Sequence, residues 1–382
     1  EQLSYPRIPV PAMAAAAGLH QDVLARILLL LSCIVDRVRA SAVNKHWRRV
    51  SLQNPPPLPR LLRPSTARTE TYRIFGGFVD LHPSFSDEGR GLRFCGSAPG
   101  GWFVISAEPW RGHALLNLRT GERVALPERV RIPLEFGVIK CPMMIRAAVM
   151  SVAPPSGACF VAAITSSQTN LAFWRPGMDC WLSAPAVGPV VRNAEDITYH
   201  DGWFCAVESD DDLVCYKPEI APAGDGASSL TIRHHAYNLH VDGHRTAPGE
   251  IVSRYLLPSA SGADLLMVKR FIAPARGGTC RFQVFRLQEG LPASWRLYQM
   301  SGQVLFVGRA CSKAFYTGHG GSPGYIYFLD DVYTGGPHSV TQQNEYPCVD
   351  AGGWCYSVPD EIQRCLPWLP PSDTSPCIWY HH

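Results

Sequence analysis

The sequence lacks the long apolar segments and the targeting signals of membrane and secreted proteins. No apolar run approaches the roughly 20 residues that span a bilayer, and the run at residues 27–31 is followed by polar and charged residues. The proline-rich first residues do not have the pattern of a signal peptide, and no Asn-x-Ser/Thr sequon occurs. We therefore expect a soluble protein of the cytoplasm or the nucleus, or of both.

Spacings typical of metal sites and disulfide frameworks are also missing. The 13 cysteines are an odd number, and no two of them have the Cys-x-x-Cys spacing of zinc sites. They are scattered through strand-like runs such as Cys159-Phe-Val and Cys205-Ala-Val. This pattern predicts buried free thiols in a reducing compartment. A loop-like stretch holds four histidines that match no zinc signature either: His234, His235, His240 and His244.

Signatures of catalysis are absent as well. No Gly-x-Ser-x-Gly elbow, phosphate-binding loop or spaced Cys/His pair is placed on a strand-to-helix turn. The acidic run at residues 210–212 has adjacent side chains rather than the spaced oxygen ligands of a calcium loop, and it predicts a solvated hairpin tip. We therefore expect a protein without its own catalytic site, metal or cofactor.

The first 54 residues contain the only part of the sequence in which helical periodicity dominates. Between residues 22 and 31 the apolar positions recur at the i, i+3, i+4 and i+7 spacing, and Asp22 lies in the first turn. Two further short helices follow before the proline run at residues 55–57. Residues 19–53 contain six cations and two anions, a net charge of +4 against +3 for the whole chain. Such a short, basic, apolar-striped segment is expected to need a partner surface.

This segment resembles an F-box, the module that binds the Skp adaptor of cullin-based ubiquitin ligases. Two stretches match the motif position by position: Leu19-His-Gln-Asp-Val-Leu-Ala-Arg-Ile-Leu-Leu-Leu-Leu31 and Asp36-Arg-Val-Arg-Ala-Ser-Ala-Val-Asn-Lys-His-Trp-Arg48. His20 stands where the family usually has proline. The resemblance implies that one set of residues makes the adaptor contacts or locks the third helix: Leu19, Leu24, Ile27, Leu28, Val43 and Trp47.

The chain divides into four parts on this interpretation. Residues 1–16 are predicted to be a disordered tail, and residues 17–54 form the F-box. Residues 55–70 are proline-rich and predict a stiff linker, and residues 71–382 are β-rich.

The β-rich part contains a repeated unit. Gly-Trp strand openings occur at Gly101, Gly202 and Gly353, and weaker copies begin at Gly157, Gly262 and Gly302, so that successive units lie 40 to 60 residues apart. A period of this length with several strands in each unit is typical of a β-propeller. We predict a mainly β fold with six blades, with seven blades as the second choice and a pair of β-sandwiches as the rival architecture.

The β-rich part is also similar to the KIB-type β-propeller found behind F-boxes in many plant proteins, especially those of grasses. The similarity rests on several motifs taken together: Leu115-Leu-Asn-Leu-Arg-Thr-Gly121, Leu171-Ala-Phe-Trp-Arg-Pro-Gly177, Asp196-Ile-Thr-Tyr-His-Asp-Gly202, Leu305-Phe-Val-Gly-Arg309 and Ile326-Tyr-Phe-Leu-Asp-Asp331. The resemblance implies the fold and the class of protein.

Together these features predict a substrate receptor of a Skp-cullin-F-box (SCF) ubiquitin ligase. The F-box would bind the Skp adaptor and through it a cullin, and the propeller would capture a protein target, with no role for nucleic acid or membrane. Aromatic and arginine side chains at loop tips are the candidate target-binding residues: Trp110, Arg111, Arg175, Arg192 and Arg309. Two alternatives remain, a non-degradative scaffold for a partner such as a kinase and a propeller that binds a small molecule or sugar.

Overall fold

The computed structural model describes eleven stretches of the chain. They are residues 19–30, 40–54, 59–72 without 68, 89–134, 136–166 without 155, 170–184, 193–222, 228–241 without 238, 246–316 without 277 and 291, 324–331, and 346–381 without 364–370. The predicted tail at residues 1–16 lies outside them.

The described strands form six β-sheets that pack side by side around a centre. The prediction of a mainly β protein with six blades is therefore confirmed. In blades 2 to 5 the inner strand packs against the inner strand of the next blade, so that successive blades surround the centre.

The strands follow the chain from blade to blade. Blade 1 begins with β1 (Arg60–Arg63) and β2 (Glu70–Tyr72). Blade 2 contains β3 (Arg93–Ala98), β4 (Trp102–Glu108), β5 (Arg111–Asn117) and β6 (Arg123–Ala125). Blade 3 contains β7 (Arg129–Leu134), β8 (Gly137–Pro142), β9 (Ile145–Met150), β10 (Val161–Thr165), β11 (Leu171–Trp174) and β12 (Trp181–Ser183).

The second half of the propeller is built in the same way. Blade 4 contains β13 (Ala194–His200), β14 (Trp203–Glu208), β15 (Leu213–Pro222) and β16 (Ser228–Tyr237). Blade 5 contains β17 (His240–Val241), β18 (Ile251–Pro258), β19 (Leu265–Ala273), β20 (Gly278–Gln288) and β21 (Ser294–Leu297), with a 3-10 turn at Pro274–Arg276. Blade 6 contains β22 (Gln303–Val307), β23 (Lys313–Tyr316), β24 (Tyr325–Phe328), β25 (Gly352–Cys355) and β26 (Val358–Gln363).

The last strand, β27 (Ile378–Tyr380), completes blade 1. It pairs with β1 in antiparallel register, with Leu61 opposite Trp379. Two segments more than 300 residues apart thus close the ring. Residues 60–63 had been predicted to belong to the linker, but they form a strand because Leu61 and Leu62 are buried in the core between blades 6, 1 and 2.

Four of the six recurring glycines mark the same turn in successive blades. Gly101, Gly157, Gly202 and Gly262 each lie between the first and second strands, counted from the centre, of blades 2, 3, 4 and 5. Gly202 has a φ of 81°, a left-handed conformation that glycine adopts without strain. The spacing of these four glycines therefore reflects one hairpin in each of blades 2 to 5. Gly302 and Gly353 occupy other positions in blade 6.

The core consists of apolar layers between neighbouring blades. In β10, for example, Val161 and Ala163 pack toward blade 2, whereas Ala162 and Ile164 pack toward blade 4. Because successive side chains of a strand point to opposite faces, a strand between two blades is apolar on both faces. The central strands are therefore continuously buried rather than alternately buried and exposed, as in β10 and β11.

Two helices and part of a third precede the propeller. They are α1 (Gln21–Leu30), a helical turn at residues 40–42 and α2 (Lys45–Gln53). No helix in the part of the chain described here combines the length and the apolar character that crossing a membrane requires.

One pair of cysteines departs from the predicted free thiols. Cys205 and Cys215 lie directly opposite each other on β14 and β15 and form a disulfide. Nine other described cysteines are free, and six of these are buried. Sequence spacing alone did not reveal the pair, because the antiparallel register of the hairpin decides which residues meet.

Candidate interaction surfaces

The helical segment has a small closed core of its own. Leu24 and Leu28 are fully buried there together with Val50, and Trp47 is 9% exposed. Leu19 packs against the same cluster. Of the residues predicted to contact the adaptor, Leu24, Leu28 and Trp47 are thus covered by the chain's own helices and hold the module together.

Local hydrogen bonds set the ends of these helices. The carbonyl of His20 accepts the first hydrogen bond of α1 from the Leu24 N–H at 3.0 Å, so His20 occupies the N-cap position. The side chain of Asn44 accepts a hydrogen bond from the Trp47 N–H at 2.9 Å and caps α2. The His46 ring lies 3.2 Å from the Leu19 carbonyl and ties the start of α2 to the residue preceding α1.

The free apolar surface of this module is provided by other positions. Val23 is 47% exposed and Val43 is 46% exposed, while Ile27 is half-buried. Val43 and Ile27 belong to the predicted adaptor-binding set, whereas Val23 was not selected from the sequence. The period-3.6 stripe included it, but only the packing shows which side of the stripe is left uncovered.

A second exposed apolar region lies on the propeller, at the β7–β8 hairpin of blade 3. Phe136 at its tip is 95% exposed, and Leu134, Val138 and Ile139 are 50%, 57% and 40% exposed. Val130 and Ile132 of β7 are buried against blade 2, which fixes the hairpin to the propeller. The sequence analysis did not identify this surface.

Three of the predicted target-binding residues lie next to this hairpin. Trp110, Arg111 and Arg129 line a cavity of about 580 Å³ together with Glu128 and Pro142. Arg175 lines a cavity of about 400 Å³ that also contains Arg131 and Leu230. The structure therefore brings Trp110, Arg111 and Arg175 around one element, although they are far apart in the sequence. Arg192 lies outside the described residues.

Arg309 occupies a different place, inside the ring of blades. Its guanidinium donates hydrogen bonds to the Glu195 carbonyl, the Ser253 hydroxyl and the Asp331 carbonyl, and its backbone N–H binds the Asp331 carboxylate at 2.8 Å. Burial would lower the pKa of Arg309, but nearby Asp331 and other negative groups raise it above its ordinary value. Arg309 thus contributes to the packing of the propeller rather than presenting a free guanidinium at a loop tip.

The loop that contains Arg309, residues 308–312, joins blades across the centre. The Ala310 carbonyl accepts a hydrogen bond from Ser97 of blade 2 at 3.3 Å, and the Ala310 N–H donates to Asp196 of blade 4 at 2.8 Å. His381 at the end of blade 1 lies 2.8 Å from the Cys311 carbonyl. This loop of blade 6 is therefore hydrogen-bonded to blades 1, 2 and 4.

The acidic run at residues 210–212 forms the β14–β15 turn, as predicted, but its middle residue is not solvated. Asp211 is 8% exposed, and its carboxylate binds Lys269 and Arg254, both at 2.5 Å. Burial by itself raises the pKa of Asp211, but the hydrogen bonds and charges of Lys269 and Arg254 outweigh burial and lower it. Arg254 also binds Glu195 at 3.0 Å, which extends the network along blades 4 and 5.

A cavity of about 720 Å³ lies between blades 4 and 5. Its lining includes Trp203, His235, Tyr237 and Asp264. Trp203 is only partly buried there, whereas Trp102 and Trp354, which follow the corresponding glycines of the repeated unit, are core residues. The stretch with His234 and His235, predicted to be a loop, is part of strand β16.

Comparisons with solved structures give only weak likenesses. The S. cerevisiae assembly of Dbp5 with Nup159, Gle1, IP6 and ADP is 10% identical with a TM-score of 0.32, and the alignment covers 69% of this chain and 60% of that one. The N-terminal domain of Nup159 is 8% identical with a TM-score of 0.34 over 82% of this chain and 75% of that one. A Mycobacterium tuberculosis puromycin-hydrolyzing peptidase is 17% identical with a TM-score of 0.28 over 56% of this chain and 33% of that one. No functional inference follows from likenesses of this size.

The family comparison is more informative. No curated protein matches this sequence. Residues 72–350, well over half of the chain, match the family described as the KIB1-4 beta-propeller. This stretch runs from the end of β2 into blade 6 and contains five of the six recurring glycines, all except Gly353. The chain therefore belongs to the KIB1-4 beta-propeller family.

Proposed function

We propose that this protein is the substrate-recognition subunit of an SCF ubiquitin ligase. Its helical segment binds a Skp-family adaptor, and its propeller captures a protein that other subunits then modify. The chain works by bringing the target and the ligase together and needs no catalytic site of its own. The match to the KIB1-4 beta-propeller family supports a protein-binding role for the larger domain.

The observation on which the adaptor-binding proposal rests is the exposed apolar pair beside a closed helical core. Val23 and Val43 are each almost half exposed although neither is needed in the core around Leu24 and Trp47. Apolar side chains on a small helical module are suited to a groove or helix of a partner. Exposed Arg26, Arg48 and Arg49 on the same helices would favour an acidic partner.

Adaptor binding is tested with Val23→Asp combined with Val43→Asp. Both side chains are exposed, so the double variant should stay folded, while two unpaired carboxylates in a dry interface should weaken binding about tenfold or more. The measurement is co-purification with a Skp-family adaptor, followed by a titration. Replacing Leu24 would be less informative, because that side chain is fully buried and its loss would unfold the module.

The matched control is Val152→Asp combined with Val358→Asp. These valines are 42% and 47% exposed but belong to the propeller. The control should bind the adaptor as well as the unmodified chain does. Equal adaptor binding by the two double variants would contradict the proposal that the helical segment is the adaptor-binding surface.

A non-degradative scaffold is the second candidate, since the family match indicates a protein-binding propeller and leaves ubiquitin transfer open. The abundance of the bound partner separates the two functions. A ligase target should accumulate when this protein is removed, whereas the level of a scaffold partner should not change. The third alternative, a small molecule at the centre, is disfavoured by the loop at residues 308–312, which links blades 1, 2 and 4 there.

A further inference from the structure

The outer edge of blade 3 is the six-residue strand β8. Among the strands that the structure describes, β8 is the last in the sheet order of this blade and pairs on one side only, with β7. All of its residues are exposed except Cys141, which is half-buried. Lys140 and Pro142 are features that natural edge strands use against unwanted pairing, so the open part of this edge is the segment of Gly137, Val138 and Ile139 that precedes them.

The same hairpin has one strongly basic face. Arg129 and Arg131 alternate with the buried Val130 and Ile132, and therefore both project to the opposite side of β7. Lys140 lies directly across from Arg131 on β8, so it shares that side. Asp179 forms ion pairs with two of these cations, at 3.0 Å from Lys140 and 3.8 Å from Arg131. The Asp179 side chain is 71% exposed.

The charges on this face do not balance. Arg175 lines the same cavity as Arg131, and Glu128 lines a cavity with Arg129. Counted with Asp179, Glu128 and Glu135, the four cations Arg129, Arg131, Lys140 and Arg175 exceed the carboxylates by one. Next to this basic face stands the apolar tip formed by Leu134, Phe136 and Val138.

We propose that the β7–β8 hairpin is the docking site for an acidic, extended segment of the captured protein. The segment adds to the free edge of β8 through main-chain hydrogen bonds, with carboxylates facing Arg129, Arg131 and Lys140 and apolar residues near Phe136. Strand addition supplies affinity and the side-chain pattern supplies selectivity. This inference rests on the proposed function, because it names the surface and the class of target that the propeller takes.

The experiment uses the full chain and two labelled peptides of about seven residues, one with alternating Glu and Val and one with alternating Lys and Val. Fluorescence anisotropy should show binding of the Glu-Val peptide only, and its affinity should fall as NaCl rises from about 0.05 M to about 0.5 M. Hydrogen exchange should show slower exchange at residues 137–141 when the Glu-Val peptide is bound.

Charge reversal then locates the site. Arg131→Glu combined with Lys140→Glu should weaken binding of the Glu-Val peptide about tenfold or more. The matched control, Arg119→Glu combined with Arg123→Glu, makes the same change in charge on exposed positions of blade 2 and should change affinity less than twofold, or about 0.4 kcal/mol. If the first variant unfolds, Arg129→Glu replaces it, with Arg123→Glu as its control.

Several results would overturn the inference. Equal binding of both peptides, no effect of the hairpin variants, or unchanged exchange at β8 would each show that the hairpin does not take an acidic strand. Another outcome is that the unmodified chain forms a dimer and binds no peptide. If Arg131→Glu combined with Lys140→Glu then abolished the dimer, the edge of β8 would be assigned to pairing with a second copy of the chain. Binding to vesicles with phosphatidylserine instead of the peptide would assign it to a lipid surface.

Adaptor binding distinguishes this inference from the proposed function. The hairpin variants should still co-purify with the Skp-family adaptor, and the Val23→Asp and Val43→Asp variant should still bind the Glu-Val peptide. Failure of the unmodified chain to bind the Glu-Val peptide, with adaptor binding intact, refutes the docking site. Failure of the unmodified chain to bind the adaptor, with peptide binding intact, refutes the ligase role and leaves the docking site standing.

Discussion

At the scale of single residues, the main features of this protein are charged side chains buried between blades. Lys269 and Arg270 are completely buried, and each is compensated by carboxylates, Asp211 for Lys269 and Asp350 for Arg270. Burial lowers the pKa of Lys269, and the nearby Asp211 opposes that effect. Removing one member of such a pair leaves an uncompensated charge in a medium of low polarity, so these sites are sensitive to substitution.

Asp211→Asn is expected to destabilise the fold by about 3–5 kcal/mol at neutral pH, because Lys269 and Arg254 lose their shared counter-charge. Asparagine tolerates the positive φ of 78° at this position, so the backbone is not the cause. The measurement is the free energy of unfolding in urea. Asp210→Asn, in the same turn, is the matched control and should change it little.

The unmodified protein and Asp211→Asn also test how the stabilising effect of Asp211 depends on pH. The pKa of Asp211 is lower in the folded chain than its ordinary value of 3.8, so its stabilising effect is complete above that value. The effect disappears as the pH falls through the folded pKa. The difference in unfolding free energy between the unmodified protein and Asp211→Asn should therefore shrink in acid. A difference that stays constant down to about pH 2 would contradict this assignment.

At the scale of elements, the close approach of inner strands sets the geometry of the blades. Gly96 lies at an irregularity of β3, where its pairing with β4 shifts by one residue. A Cβ atom at this position would lie 1.8 Å from the carbonyl oxygen of Ala148 on β9. Only glycine lets the inner strands of blades 2 and 3 come this close.

Gly96→Ala is expected to lower the unfolding free energy by about 1–3 kcal/mol or more, because the two strands must separate. The midpoint of urea denaturation measures the effect. Gly157→Ala is the control, since a Cβ there meets nothing within 4 Å and its φ is not in the left-handed region. Similar midpoints for the two variants would show that blades 2 and 3 do not make this contact.

At the scale of the whole molecule, the ring is closed by its last strand. Trp379 of β27 is fully buried, its ring packs against Phe306 of blade 6 at 5.2 Å, and its indole N–H binds the Val307 carbonyl at 2.9 Å. The neighbouring Tyr380 stacks on Phe103 of blade 2 at 5.6 Å. One short strand thus contacts both adjacent blades as well as β1.

Trp379→Ala should destabilise the propeller by about 3–5 kcal/mol, because it removes a large side chain from the closing strand. Thermal unfolding followed by circular dichroism should show a lower midpoint for the whole β signal, since all blades depend on closure. Trp110→Ala, at a site that is 43% exposed, should leave the midpoint nearly unchanged. A local loss of structure with the same global midpoint would argue against closure by β27.

Much of the fold could be predicted from local information. The glycine turns recur because blades 2 to 5 each have the same hairpin between their first two strands, as at Gly101 and Gly202, and the period follows from that hairpin. The helical segment was recognisable from its apolar stripe for the same reason. By contrast, the buried ion pairs of Asp211 could not be predicted, because a run of three acidic residues has the pattern of a solvated hairpin tip. Its partners Lys269 and Arg254 belong to another blade, and only the fold places them beside it.

The sequence by itself determined the class of the protein, a helical module followed by a six-bladed KIB1-4 beta-propeller, because turns and periodicity depend on neighbours along the chain. Only the tertiary structure decided which side chains are free. It covered Leu24 and Leu28, enclosed Arg309 within the ring and gathered Trp110 and Arg175 around an open hairpin. Exposure and charge balance depend on contacts between residues up to hundreds of positions apart, and those contacts exist only in the folded chain.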